Sequence, residues 1–166
     1  MARLLSPDAA PPARFSAPWS AGLAWLTAAV GAVLVAVAVV AGPIGQVVAG
    51  AIAAVGVAFA VRGYSVEGSG AGPVVRVRFL GWSRELGPVV GAERAAGATE
   101  GSVRVFGIGG LMGYVGRFRS AALGPYVAYA TDPARAVVVR RRGAPPVVLT
   151  PDRPDDFVAA VRGALP

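Results

Sequence analysis

Residues 21–61 have the sequence AGLAWLTAAVGAVLVAVAVVAGPIGQVVAGAIAAVGVAFAV, and the uncharged run around them extends from Phe15 to Val61. One bilayer crossing takes about 20 apolar residues, so a stretch of this length suits two crossings better than one buried core helix. Gly42 and Pro43 interrupt it and predict a turn at 42–43. The sequence therefore predicts a transmembrane helical hairpin over 21–61, with helices at about 21–41 and 44–61.

Small side chains recur at every fourth position in both predicted helices. They are Ala24, Ala28, Ala32 and Ala36 in the first helix, and Gly50, Ala54 and Ala58 in the second. Small residues let helix backbones approach closely in lipid, so we expect the two helices to pack along these stripes. A coding bias toward Ala and Gly would produce the same pattern.

Arginines flank the hairpin on its outer sides, while the predicted turn carries no charge. Arg3 and Arg14 precede the hairpin, and Arg62, Arg76 and Arg78 follow it. The positive-inside rule then predicts a cell-membrane protein with two spans and with both termini in the cytoplasm. Residues 1–20 contain four prolines and are predicted to form a flexible N-terminal arm.

The composition excludes most enzyme chemistry. The chain has no Cys and no His, which excludes the usual zinc sites, nucleophiles paired with a His base, and haem ligation. The close acidic cluster of Asp152, Asp155 and Asp156 fits the start of a helix better than a metal or catalytic site. The sequence therefore predicts no catalytic residue, metal or cofactor, and a protein that is not an enzyme.

Residues 62–166 change to short runs typical of β-strands, and they predict a single cytoplasmic domain. Val75, Val77 and Phe79 alternate with Arg76 and Arg78, which indicates a strand with one apolar and one basic face. Alternation at 102–105 and apolar runs at 126–131, 136–141 and 146–150 extend the pattern, with turn signals at Asp132-Pro133 and at 143–145. These runs predict a meander of antiparallel strands.

A helix at about 153–164 is predicted to end the chain. Asp152 is the expected N-cap, and Pro154 lies in the first turn, where its missing N–H costs nothing. Phe157, Val158 and Val161 fall on one face with Leu165. This face suits a helix that caps one end of a β-barrel.

A glycine-rich segment at 106–118 lies between predicted strands. Met112 stands where a dinucleotide fingerprint needs Gly, and no P-loop Lys follows, so nucleotide binding is disfavoured. The glycines instead predict bends or bulges in a curved sheet, with Leu111, Met112, Tyr114 and Phe118 packing beneath it or touching lipid.

Several of these motifs together resemble the bacterial pleckstrin-homology-like (PH) domain family over about residues 64–165. They are FGIGG at 106–110, GYxGxF at 113–118, LG at 123–124, YAT at 129–131, VVV at 137–139 and TPDxPxxF at 150–157. The resemblance implies a bent antiparallel sandwich or partly open barrel with a C-terminal capping helix, often beside transmembrane helices. It implies no established activity, and no binding residue is transferred from it.

The charge of the domain favours a role at a membrane surface. Residues 62–166 contain fourteen Arg against eight acids, a net charge of about +6, which attracts anionic lipid. Arg140, Arg141 and Arg142 precede Gly143 at a predicted hairpin tip and are the candidate binding residues. They also fit a solvated turn that protects a sheet edge.

These observations predict a non-enzymatic integral membrane protein that presents a PH-like module at the cytoplasmic face. The module would bind lipid headgroups or a partner. The alternative is an interaction or accessory subunit of a membrane complex, in which the hairpin packs beside a membrane-protein partner and the domain recognises no lipid of its own. Nucleic-acid binding is not expected, because the arginines are not interleaved with aromatic residues on one face.

Overall fold

The structure, a computed structural model, describes residues 11–70, 72–109 and 112–166. The described residues form three helices, α1 (Ala21–Val40), α2 (Gly42–Ala58) and α3 (Pro154–Gly163), and a short 3-10 turn at Pro133–Arg135. A four-stranded sheet contains, in spatial order, β1 (Ala13–Ser16), β2 (Gly63–Ser69), β3 (Gly72–Arg78) and β4 (Ser83–Glu85). A six-stranded sheet is formed by β5 (Val89–Arg94), β6 (Val103–Gly109), β7 (Tyr114–Ser120), β8 (Gly124–Ala130), β9 (Val137–Arg141) and β10 (Ala144–Leu149). The predicted mainly-β domain with a C-terminal helix, preceded by helices, is confirmed.

The helices α1 and α2 pack against each other and turn their large apolar side chains outward. Exposed examples are Val33, Val35, Val39, Val40, Ile44 and Val47. The buried residues of α2 are small, namely Gly45, Ala49 and Gly56. By length and composition α1 is suited to crossing a membrane, whereas α2 is a shorter apolar helix of 17 residues.

The details of the hairpin differ from the prediction. The first helix ends at Val40 and the second begins at Gly42, because Pro43 fits the first turn of a helix as well as it fits a turn. The predicted stripes are wrong as a packing surface, since Ala24, Ala28, Ala32, Ala36, Gly50 and Ala54 are exposed. Ala and Gly are so frequent here that several stripes exist. Spacing alone did not identify the one that faces the partner helix.

The core between the sheets follows from period-2 alternation. Val75 and Val77 of β3 are fully buried, while Arg76 between them points outward to the Glu67 carboxylate at 2.5 Å. Opposite them lie inward-facing residues of the six-stranded sheet, including Val137, Val139, Val147 and Leu149. Helix α3 adds the fully buried Phe157 and Val161 to the same cluster and packs on β5, β2 and β3.

The predicted antiparallel meander is wrong for the last three strands. Strand β10 lies between β8 and β9, antiparallel to β9 and parallel to β8. The turn signal itself is correct, because the Asp132 side chain accepts a hydrogen bond from the Ala134 N–H and begins the 3-10 turn. A turn signal predicts where the chain bends but not which strand it will pair with next.

The predicted flexible arm is wrong for residues 13–16, which form β1. This strand pairs with β2, and the buried Phe15 places its ring 5.1 Å from that of Phe157. Asp152 is not the N-cap of α3, because that position is Arg153 and has no side-chain cap. The Asp152 carboxylate instead accepts a hydrogen bond from the Ser16 N–H at 3.1 Å. Residues 1–10 of the predicted arm lie outside the described residues.

The outer ends of the hairpin are bonded to one end of the β domain, called the hairpin end below. Before α1, Ser20 N donates to Thr131 O at 3.3 Å, and Thr131 Oγ1 donates to Pro18 O at 2.7 Å. At the end of α2, Trp82 Nε1 donates to Ala58 O at 3.0 Å. Between β6 and β7, Met112 N donates to Thr27 Oγ1 at 3.2 Å. The helices and the domain are therefore attached to each other at several points.

A buried polar network joins the two sheets at the hairpin end. Tyr64 Oη donates to Tyr129 O at 2.7 Å and accepts from Thr150 N at 3.2 Å. Thr150 Oγ1 in turn accepts from Thr131 N at 2.8 Å. Burial raises the pKa of Tyr64 to about 12, although its hydrogen bonds with Thr150 act in the opposite direction. The hydroxyl is therefore neutral at physiological pH.

Candidate binding cleft

A cleft of about 970 Å³ lies between the segment that carries β4 and the β6-β7-β8 part of the six-stranded sheet. One wall is formed by Phe79, Trp82, Arg84 and Leu86, and the opposite wall includes Val115, Arg117, Val127 and Tyr129. Pockets that hold small ligands commonly measure about 300–1,000 Å³. The cleft is therefore large enough for a ligand.

The glycine-rich segment shapes one wall of this cleft. Gly107 and Gly116 lie opposite each other on β6 and β7, with φ angles of 121° and 150°. A Cβ atom on either residue would collide with the backbone of the other strand, so only glycine permits this close approach. The register of β6 and β7 shifts between Arg104 and Phe106, so this bulge lies just before the glycine-rich segment and not at one of its glycines. The predicted packing residue Phe118 stacks on Tyr126 on the other face of the sheet, and Leu111 lies outside the described residues.

Aromatic side chains line the cleft at the hairpin end. Trp82 stacks on Phe79 with ring centroids 4.0 Å apart, and Phe59 meets Trp82 edge-on at 5.7 Å. Because Trp82 also donates to the carbonyl of Ala58, this part of the cleft lies beside the end of α2. We call Phe59, Phe79 and Trp82 the aromatic mouth.

Three arginines line the cleft, and no acidic residue is found among its described lining residues. The Arg84 guanidinium carbon lies 6.0 Å from the centroid of the Tyr129 ring, within range of a cation–π contact. Arg141 is half-buried and donates to Leu86 O at 3.1 Å and to Pro145 O at 2.7 Å. Burial lowers the pKa of Arg141, and the charge of Arg84 acts in the same direction. An arginine nevertheless remains charged at neutral pH, so the cleft is electropositive.

The structure does not bring Arg140, Arg141 and Arg142 together as one site. Arg140 pairs with Glu93, with Nη2 and Oε1 2.6 Å apart, and Arg142 is exposed at the β9–β10 turn. Only Arg141 enters the cleft. Neighbouring residues of a strand point to opposite faces, so a run of three arginines is divided between the faces.

The β9–β10 turn also lies at the end of the sheet away from the hairpin. Val147 of β10 is level with Val127 of the parallel strand β8, which places Ala144 near the level of Gly124. The hairpin end is reached at Ala130 and Thr131, six or seven residues further along β8. At about 3.3 Å per residue, the two ends are roughly 20 Å apart.

Arg84 and Arg117 were not predicted from the sequence as members of this site. Arg117 alternates with Tyr114, Gly116 and Phe118, so it shares a face with Val115. This alternation could have identified Arg117 as an arginine on a partly apolar strand face. The sequence does not show that this face lines a cleft, because that depends on how the two sheets are arranged.

Within the described ranges, no group of three or more His, Cys, Asp or Glu residues is placed to hold a metal ion. The chemistry available in the cleft is therefore hydrogen bonding and charge pairing from arginine, together with apolar and aromatic contact. This combination suits the binding of an anionic, partly apolar molecule.

Comparison with known proteins adds one result to this geometry. No match was found among curated proteins or among solved structures. The model of the family described as bacterial PH domain matches residues 89–165, which contain the six-stranded sheet and α3. This part of the chain is therefore similar to bacterial PH domains, and the similarity suggests a binding module.

Proposed function

We propose that this chain is a non-enzymatic integral membrane protein whose hairpin crosses the cell membrane twice. Its PH-like domain lies at the cytoplasmic face and binds lipid headgroups there. The observation that carries this proposal is the attachment of both outer ends of the hairpin to the same end of the domain, through Ser20 and Thr131 and through Ala58 and Trp82. A hairpin that crosses the membrane twice returns to the side from which it started, so both of its outer ends must lie on the same side as the domain.

The surface of the hairpin supports two crossings. Its large apolar side chains face outward and its buried residues are small, as expected for helices surrounded by lipid. Helix α2 has 17 residues, or about 25 Å at 1.5 Å per residue, which is near the lower limit for a crossing. Only Ala41 separates the two helices, so the proposal places the turn at the far surface of the bilayer.

Single cysteines test the topology, because the natural chain has none. Ala41→Cys places a thiol at the turn between the helices, and Ala164→Cys places one after α3. In intact cells, an impermeant maleimide should label only the first variant, and the second should react only after lysis. Labelling of Ala164→Cys in intact cells would contradict the orientation. Extraction of the chain by an alkaline wash would contradict the crossings.

A second function, as an interaction subunit, is favoured by one observation. Strand β6 is an edge of the six-stranded sheet, and its Val103, Val105 and Phe106 side chains are 67%, 67% and 76% exposed. An apolar edge strand can accept a strand from another protein. This reading predicts that Val103→Ser abolishes the co-purification of one specific membrane protein. The lipid-binding reading predicts that this variant binds headgroups normally, because Val103 does not line the cleft.

A further inference from the structure

We infer that the cleft receives the headgroup of an anionic phospholipid directly from the bilayer. The phosphate would lie between Arg84 and Arg117, and the glycerol and first acyl carbons would pass through the aromatic mouth. This inference rests on the proposed function and names its ligand and its binding site.

The aromatic mouth lies beside the end of α2. Trp82 donates to the carbonyl of Ala58, the last residue of α2, and Phe59 immediately follows that helix. If α2 ends at the membrane surface, the aromatic mouth lies at the level where tryptophan rings commonly occur in membrane proteins. A lipid beside α2 therefore reaches the cleft without leaving the bilayer completely.

The charged side chains of the cleft lie within reach of a headgroup that enters through the aromatic mouth. Arg84 is two residues beyond Trp82, or about 7 Å along an extended chain. Arg117 lies on the opposite wall, on β7. A phosphate that enters headgroup first would be held between the two walls while its acyl chains remain in the membrane.

The charges in the cleft are complementary to an anionic headgroup. Five arginines elsewhere on the domain pair with carboxylates: Arg76 with Glu67, Arg94 with Asp155, Arg135 with Asp132, Arg140 with Glu93 and Arg153 with Asp156. Among the residues that the structure describes, Arg84 and Arg117 form no such ion pair and have no acid beside them in the cleft. Their charges are available to an anion from outside the chain.

The experiment uses the full chain in detergent, with Trp19→Phe and Trp25→Phe, so that Trp82 is the single tryptophan. Phosphatidylglycerol with brominated acyl chains is titrated, and brominated phosphatidylcholine serves as the matched neutral lipid. We expect saturable quenching of Trp82 by the anionic lipid and weaker binding of the neutral lipid. Arg84→Ser with Arg117→Ser should raise the apparent Kd for the anionic lipid about tenfold or more.

Arg140→Ser with Arg142→Ser is the matched control, because it removes the same charge at the end of the sheet away from the hairpin. Its Kd should stay within about twofold of the parent. Arg84→Lys with Arg117→Lys should retain most of the binding, because it keeps both charges. Arg84→Gln with Arg117→Gln, which also removes both charges, replaces the Ser pair if that pair does not fold. Equal weakening by both Ser pairs, or no preference for the anionic lipid, would overturn the inference.

The two proposals fail in different ways. If only Arg140→Ser with Arg142→Ser weakens binding, headgroups bind at the β9–β10 turn. The inference is then wrong and the proposed function stands. If the parent chain itself binds no lipid although the cysteine labelling confirms both crossings, the lipid-binding function and the cleft assignment both fail. The function as an interaction subunit then remains.

Discussion

The hairpin and the β domain place large and small side chains in opposite ways. In the hairpin, valine and isoleucine face outward, while Gly45, Ala49 and Gly56 are buried. In the domain, valine, tyrosine and phenylalanine are buried between the sheets, and arginines form ion pairs on the surface. This difference is what the proposed membrane crossing requires, because the favoured outer surface depends on whether water or lipid lies beside it.

The largest expected effect comes from placing a charge on each outer surface. Val33 of α1 is 62% exposed and Val103 of β6 is 67% exposed. Val33→Arg should cost about 3 kcal/mol of insertion free energy if lipid surrounds α1, whereas Val103→Arg should change the stability of the domain by less than about 0.5 kcal/mol. The fraction of chain that resists alkaline extraction measures the difference. Normal retention of Val33→Arg would show that α1 is not surrounded by lipid.

The interior of the domain is tested through Tyr64, whose pKa in the folded state is raised from 10.0 to about 12. The folded state therefore favours the protonated hydroxyl, so this contribution to stability is complete below pH 10 and is lost as the pH rises through about 12. The loss should amount to roughly 3 kcal/mol. Unfolding of the full chain in detergent, followed by circular dichroism across this range, measures it.

Tyr64→Phe is the control for that titration. It should lower stability at neutral pH by about 1–3 kcal/mol, because Thr150 N and Tyr129 O each lose a buried partner. It should also remove the part of the stability loss at high pH that comes from ionisation of Tyr64. An identical alkaline decline in both proteins would contradict the assigned cause.

The interior of the hairpin is tested at two glycines of α2. A Cβ atom on Gly45 would lie 2.6 Å from Val37 O, whereas one on Gly50 would meet nothing within 4 Å. Gly45→Ala should therefore force the helices apart and cost about 1–3 kcal/mol, while Gly50→Ala should be neutral or slightly stabilising. Thermal unfolding in detergent compares the two. Equal melting temperatures would mean that the helices do not pack as described.

The smallest expected effect lies at the junction of the two regions. Trp82→Phe removes the hydrogen bond to Ala58 O and should cost about 1 kcal/mol. Trp19→Phe is the control, because Trp19 and Trp82 are 43% and 41% exposed. Amide hydrogen exchange over residues 55–61 should become faster only in Trp82→Phe. Equal exchange in both variants would mean that Trp82 does not stabilise the end of α2.

The predictions from sequence succeeded where the signal was local. The start of α1 at Ala21 and the β character of the runs at 75–79 and 126–131 follow from periodicity and local apolarity. They failed where the partner was distant in sequence. β1 pairs with β2 across the whole hairpin, and Asp152 bonds Ser16, 136 positions away, rather than capping α3.

The candidate site shows the same division. The run of three arginines was visible in the sequence, but only Arg141 lies in the cleft. Arg140 points to the other face of β9 and pairs with Glu93. Arg84 and Arg117 lie 33 positions apart and become walls of one site only when β4 stands opposite β7. No local pattern carries that information.

The sequence by itself determined that this chain has an apolar helical segment followed by a mainly-β domain, because apolarity and periodicity act over a few neighbouring residues. The tertiary structure alone decided that β10 lies between β8 and β9, that Gly45, Ala49 and Gly56 are the buried residues of α2, and that Arg84, Arg117 and Arg141 line one cleft. Each of these outcomes depends on which distant segments meet, and that choice is made by the packing of the whole chain.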